Sequence, residues 1–377
     1  MRAASSLASV PQFKSLLVVR LSAMGDIIHT LPAATLLREA FPHATLGWLV
    51  EERWAELLCT LRYPRSGPRS PARPLVDGVH AVNLGQWRRE LFSVNTMQQM
   101  AAALSELRGV QYEAVVDFQG AVRSALLARW SGATSIFGDA QPRENAASMF
   151  YTRLVEADGK HVVEQALDLA RAVVLGSGIA AQQRRNTSAE TVPDVEFPFD
   201  ADAQKKIDAW LGGISDFAIL NPGAGWGAKQ WPAERYGVIA RELAHDGIRP
   251  FVNFGPGEEA LALAVEEASG GTARRISCSI AELIALTRRA RLLIGGDTGP
   301  MHLAAVLKVP VVAIFGPTNP VRNGPFGTRS IVLRSASSMT DHARRHETEQ
   351  GLLEITPEEV VVAARALLRE PEPERVG

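Results

Sequence analysis

At 377 residues the chain is longer than one typical domain and points to about two. Its 46% hydrophobic and 21% charged residues describe an ordinary globular core, and a formal net charge of −1 argues against a global nucleic-acid footprint. Cys59 and Cys278 match no metal or redox spacing and read as free thiols of a reducing compartment, while no window approaches the roughly 18 apolar residues of a membrane span.

Residues 1–13 read as a loose extension, because the apolar run Leu16–Val19 is short and is closed by Arg20. Ser15–Leu21 reads as a buried strand, followed by the turn Ser22–Asp26 and by an apolar-periodic helix over Ile27–Phe41 despite Pro32. A strand over Thr45–Val50 and a helix over Glu51–Leu58 complete a βαβα start. Tyr63–Asp77, rich in Pro and Arg, is predicted to be a mobile surface loop. Its arginines, with Arg62, read either as solvated charge or as a hold on an anionic acceptor. Strands over His80–Leu84, Glu113–Phe118 and Thr134–Gly138 then alternate with helices over Ser93–Arg108, Ala121–Trp130 and Val162–Leu175.

The composition changes at Gly176–Asp194, a polar stretch that marks an interdomain linker or an excursion just before one. After a helix over Ala203–Leu211 a second series begins. Its strands are Phe217–Leu220, Arg249–Phe254, Leu292–Ile294 and Val309–Phe315, and its helices are Pro232–His245, Glu258–Ala268, Ile280–Ala290 and Gly299–Leu307. A last helix spans Pro357–Arg369, and the tail EPEPERVG frays. The expected fold is α/β: two Rossmann-like, doubly wound domains, 14–195 and 196–377, facing each other across a ligand-binding cleft.

The stretch Leu292–Leu303 (LLIGGDTGPMHL) carries the strongest site signal. An apolar strand stops at Gly295–Gly296, Asp297 or Thr298 caps the next helix, and the first amides of that helix would meet an anion; Gly299 belongs to that start. His302 lies one helical turn beyond Thr298 and can face the same anion. Asn221–Pro232 (NPGAGWGAKQWP) also joins a strand to a helix; Gly223, Gly225 and Gly227 let backbone amides approach an anion, and Lys229 adds a charge. It fits neither GxGxxG nor GxxxxGK[ST], so a purely structural turn stays open. Glu258, in GPGEE, is placed to accept ribose hydroxyls or simply to favour a helix start.

In the first half, Asp26 of RLSAMGDIIHTLP is either a helix N-cap or a carboxylate base, with His29 as the rival base and a positioning role or core packing as its alternatives. Arg123 of DFQGAVR, Arg143 of QPREN, and Arg88 and Arg89 after another strand suggest an anionic acceptor, against the reading of plain solvated charge.

Taken together, SAMGDIIHTLPA, DFQGAVRSA, KQWP, GPGEE, GGDTGPMHLAA and VAIFGPTNP resemble glycosyltransferase family 9, the ADP-heptose:lipopolysaccharide heptosyltransferases, over roughly residues 15–330. The SxMGDxxHTLPA form resembles heptosyltransferase I more than II. The resemblance implies a GT-B fold with the acceptor in the first domain and the nucleotide sugar in the second. It implies an inverting, metal-independent transfer with no cofactor, from ADP-heptose to Kdo-lipid A, by a cytoplasmic enzyme peripheral to the inner membrane. It matches Asp26 to the general base, Lys229 to a donor-phosphate lysine, Glu258 to a ribose contact, and Asp297, Thr298, Gly299 and His302 to the donor loop. Arg123 and Arg143 match basic acceptor-side residues. This chain departs from the family in having Gly223, Ala224 and Gly225 where threonines commonly touch phosphate, so backbone amides would do that work. The rival readings are a GT-B transferase or epimerase for another nucleotide sugar, and a non-catalytic nucleotide-sugar sensor.

Overall fold

A computed structural model describes residues 13–90, 93–176, 192–341, 343 and 345–369. The expected N-terminal extension, most of the polar stretch 176–194 and the tail beyond 369 lie outside the described residues. The chain divides into two compact units: Met1–Ser22 with His29–Pro198, and Ala23–Ile28 with Phe199–Gly377.

The first unit is built on six parallel strands: β1 (Ser15–Val19), β2 (Thr45–Glu51), β3 (Gly78–Val82), β4 (Ala114–Asp117), β5 (Ser135–Asp139) and β6 (Arg153–Val155). Their order is β3-β2-β1-β4-β5-β6. The strands β1 and β4 are buried along their whole length, as continuous Val/Leu/Ala runs of a parallel sheet covered on both faces must be. Helices α1 (Met24–Ala40), α2 (Leu84–Arg89), α3 (Val94–Val110), α4 (Val122–Trp130) and α5 (Val162–Val174) connect them. One core gathers Leu17, Val19, Val115 and Ile136 from the sheet with Leu107, Ala125 and Leu127 from the helices.

The second unit repeats the plan. Its strands are β7 (Phe217–Asn221), β8 (Arg249–Phe254), β9 (Arg274–Ser277), β10 (Leu292–Gly296), β11 (Val311–Ile314) and β12 (Ser330–Leu333), in the order β12-β11-β10-β7-β8-β9. Helices α6 (Ala201–Leu211), α7 (Ala233–His245), α8 (Glu259–Ala268), α9 (Ile280–Thr287), α10 (Gly299–Val306), α11 (Pro320–Asn323), α12 (Gln350–Glu354) and α13 (Pro357–Arg369) accompany them. Separate apolar cores cover the two faces, one around Leu220, Ile294 and Trp231 and the other around Ile219, Leu293 and Phe315. Counted from its own first strand, each sheet has the order 3-2-1-4-5-6, which reverses direction between its first and fourth strands. The paired doubly wound sheets of a GT-B fold are present, and four of the sequence motifs follow the switch-point strands β1, β4, β7 and β10.

Three expectations need correction. Glu51–Leu58 is a short 3-10 turn over Glu52–Leu57 instead of an α-helix. The strands β6, β9 and β12 went unread because edge strands, half exposed, lack a continuous apolar run. The Pro/Arg-rich stretch is an organised loop centred on Arg73, which is fully buried and donates to the carbonyls of Pro64, Gly67, Pro68 and Val76. Its guanidinium also lies 5.4 Å from the Tyr63 ring centre. A five-donor fork can satisfy several turn carbonyls at once, so this arginine holds the loop together from inside. Arg65 pairs with Glu52 and Arg69 with Asp77.

Candidate functional site

In the second unit two strand-end turns meet. The ammonium of Lys229 lies 2.6 Å from Asp297 Oδ2 and 3.2 Å from the Asp297 carbonyl, and 4.3 Å from the Trp226 ring centre. His302 Nε2 lies 3.1 Å from Asp297 Oδ1. An ionised carboxylate only accepts, so this nitrogen carries the proton. Burial alone would raise the Asp297 pKa, but the hydrogen bond and charge of His302, and then those of Lys229, outweigh it and hold the carboxyl well below the usual carboxylate range.

Beneath these side chains is a buried amide network. Asn221 Nδ2 donates to the Gly223 carbonyl and to Thr298 Oγ1, both at 3.3 Å, and Asn253 Nδ2 donates to Asn221 Oδ1 at 2.8 Å. Thr298 sits at the N-cap of α10 but its hydroxyl turns to the Gly296 carbonyl, so no side chain caps that helix. The expected capping role of Asp297 or Thr298 is corrected accordingly. The positive end of α10 therefore has no side-chain cap. A Cβ built on Gly223 would run into the Glu258 carboxyl, so the glycine lets this turn and that carboxylate lie against each other. Glu258 also accepts from the Gly255 amide at 2.9 Å. Gly225 is exposed, with open space around it.

The remaining parts of the NPGAGWGAKQWP motif are anchors. Trp231 is 2% exposed, donates its indole N–H to the Ile355 carbonyl at 3.2 Å and packs edge-on against Tyr236. Residues 345–349 pin the turn from outside: Ala228 N–H donates to the Arg345 carbonyl and Thr348 Oγ1 to the Gln230 carbonyl.

Asp26 is the third residue of α1, so it is not the N-cap; its Oδ2 accepts from the Ala23 amide at 3.0 Å. Ala23–Ile28 groups with the second unit. Within that unit a Cβ on Gly25 would lie 2.6 Å from His302 Cδ2, and one on Gly299 would lie 2.6 Å from Met24 Sδ. The backbone just before Asp26 is therefore pressed against the imidazole that holds Asp297. His29 is buried and packs edge-on against His161, ring centres 5.6 Å apart, which favours the core-packing reading.

Arg123 and Arg143 flank one turn of the first unit and both are exposed. Gly120 between them has φ +64°, and a Cβ there would lie 3.0 Å from the Arg143 nitrogen, so glycine alone fits. Arg88 and Arg89 are exposed at the end of α2. The sequence reading missed Gln119 and Asp117 of the same turn. Both are buried, and the signal available was two polar residues closing an otherwise apolar strand. Cys59 and Cys278 are free; burial raises both thiols, Cys278 to about 12, which makes them inert. Among the described residues no three His, Cys, Asp or Glu side chains group as metal ligands, and no helix is long and apolar enough to cross a membrane.

The model of glycosyltransferase family 9 (heptosyltransferase) matches residues 100–353. Lipopolysaccharide heptosyltransferase 1 of Pseudomonas aeruginosa is 32% identical over 326 residues, covering 85% of this chain and 83% of that protein. The protein of the same name from Escherichia coli K12 is 30% identical, covering 85% and 93%. Among solved structures, E. coli heptosyltransferase WaaC with ADP is similar at a TM-score of 0.72 and 25% identity, over 94% of this chain and 99% of that one. WaaC with ADP-2-deoxy-2-fluoro heptose is similar at 0.70 and 26%, over 93% and 99%. Motifs, fold and relatives agree, and the chain belongs to glycosyltransferase family 9, the heptosyltransferases.

Proposed function

We propose that this family 9 enzyme moves heptose from ADP-heptose to the Kdo region of the lipopolysaccharide inner core, by a single inverting displacement with Asp26 as general base. The acceptor hydroxyl oxygen attacks the anomeric carbon, its proton passes to Asp26, and the bond to the diphosphate breaks with ADP taking the electron pair. Negative charge then grows on the departing diphosphate, where Lys229, the Gly223 and Gly225 turn and the Thr298–Gly299 amides offer fixed donors. Glu258 accepts ribose hydroxyls, and Asp297 and His302 hold the lysine and the donor loop. The second sheet is the donor half; the first, with Arg88, Arg89, Arg123 and Arg143, is the acceptor half, working at the cytoplasmic face of the inner membrane as a peripheral protein.

The observation that carries this reading is the grouping of Ala23–Ile28 with the unit of Lys229, Asp297 and His302, with Gly25 packed on the His302 ring. The relatives named heptosyltransferase 1 and the WaaC structures with ADP and a fluoro-heptose donor support the same substrates. The test is to mix the purified chain with ADP-heptose and Kdo-lipid A and to follow ADP release together with the mass of the lipid. The reading predicts stoichiometric ADP and one added heptose. Donor binding without either product would favour the sensor, and turnover without acceptor would favour an epimerase.

A further inference from the structure

The pairing of β1 with β4 ends at Val19↔Asp117, yet the chain leaving β1 is still held on that side. Two side chains hold it: the Arg20 guanidinium donates to the Phe118 carbonyl, and Gln119 takes the next two amides. Gln119 Oε1 accepts from the Leu21 amide at 3.0 Å and from the Ser22 amide at 3.2 Å. Two N–H groups can be met only by the carbonyl oxygen, so the orientation of this carboxamide is fixed and its NH2 group is turned away from them. Gln119 is 4% exposed, and its own amide donates to Asp117 Oδ1 at 2.9 Å. Asp117 in turn accepts from Ser124 Oγ and Tyr151 Oη, each at 2.8 Å, so the carboxamide stands on a buried, fully bonded base. On the other side of the same exit the Glu51 amide donates to the Leu21 carbonyl at 3.0 Å and the Trp48 indole N–H to the Arg20 carbonyl at 3.1 Å.

We propose that Gln119 is a positioning residue for Asp26: it extends the β1–β4 ladder by a side chain and so fixes where the Ser22–Asp26 turn leaves the sheet. The inference rests on the reading of Asp26 as the base. Three residues separate the clamped Ser22 from Asp26, and the Asp26 carboxylate is tied back to Ala23, the residue next to the clamp. Loosening the clamp therefore moves the carboxylate along with its turn. Misplacing a reacting group by about 1 Å costs up to roughly a hundredfold in rate.

The test is a double-mutant cycle on full-length enzyme, read as kcat and KM for ADP-heptose with a Kdo-lipid A acceptor, beside ADP affinity and thermal midpoint. Gln119→Leu is expected to lower kcat on the order of tenfold to a hundredfold, with ADP affinity and KM for the donor unchanged. Gln119→Glu, which still accepts from both amides, is expected to recover most of the rate. In an Asp26→Asn background Gln119→Leu should cost nothing further, because its effect runs through the missing carboxylate. If Gln119→Leu does not fold, Gln119→Asn, one methylene short of the two amides, carries the same expectation. Wild-type kcat in Gln119→Leu, losses that multiply with Asp26→Asn, or a loss confined to the thermal midpoint would overturn the proposal. Undiminished turnover in the single Asp26→Asn variant would instead remove the base reading itself, which the cycle reports independently of Gln119.

Discussion

Two aspartates stand at the carboxyl ends of switch-point strands, one in each sheet, Asp117 buried and Asp297 half-buried, and they are held in opposite ways. Asp117 ends β4 and is surrounded by neutral donors: the Gln119 and Gly120 amides, Ser124 and Tyr151. Burial pushes its carboxyl up, and the hydrogen bonds from Ser124, Tyr151, Gln119 and Gly120 offset only part of that. Asp297 follows β10 and is held by Lys229 and His302, whose bonds and charges push its carboxyl down. Desolvation raises both carboxyls, and the partner chemistry, neutral donors in one sheet and an ammonium with an imidazole in the other, decides which way each shifts. A carboxylate met by hydroxyls and amides fixes a turn. One met by an ammonium and an imidazole N–H holds those two donors in place.

Substitution should separate the two sharply. Asp297→Asn leaves the Lys229 ammonium without its counter-charge, and kcat for heptose transfer should fall by roughly a hundredfold, the cost of losing one preorganised donor. Asp117→Asn should keep turnover within a few-fold of wild type, since the new NH2 group can face Ser124 and Tyr151 while its oxygen keeps the two amides. Equal losses in steady-state assays of the two variants would break the comparison.

The pH dependence sharpens it. For Asp297 the folded pKa is depressed, so its stabilisation is fully present above the unfolded value of about 4 and is lost as pH falls through the folded value. For Asp117 the folded pKa is raised. Above the unfolded value of about 4 the native state holds a proton that the unfolded chain has shed, so its contribution is greatest at low pH and declines as pH rises through the folded value. Urea unfolding between about pH 3 and 7 should show the gap between wild type and Asp297→Asn narrowing on acidification. The gap to Asp117→Asn should narrow in the other direction. Gaps that move the same way would contradict the assignment of neutral and charged partners. The smallest effect is that of Tyr151→Phe, which removes one of four bonds to Asp117 and should cost about 1–2 kcal/mol in denaturant unfolding with no change in KM for the donor.

The charged half of this contrast was legible in the amino-acid sequence, and the neutral half was not. Asp297, Thr298 and Lys229 stand in glycine-punctuated turns right after apolar runs, a pattern with a mechanical reason to bind anions. Both sheets were readable because β1, β4, β7 and β10 each carry a short apolar run, LLVV, AVV, FAIL and LLI. Gln119, Asn221 and Asn253 act by bonding backbone and each other inside the fold, which no local pattern announces. Arg73 misled for a related reason. A proline- and arginine-rich stretch reads as solvated, yet the arginine fork satisfies turn carbonyls that only the folded loop brings together.

The most direct test of the central claim is single-turnover transfer from ADP-heptose to Kdo-lipid A by Asp26→Ala, measured beside its calorimetric affinity for ADP. The account predicts that transfer disappears while the ADP affinity stays within about twofold of wild type, the pattern of a group that acts only in the transition state. Parallel loss of ADP affinity and transfer, or transfer at the wild-type rate, would contradict it.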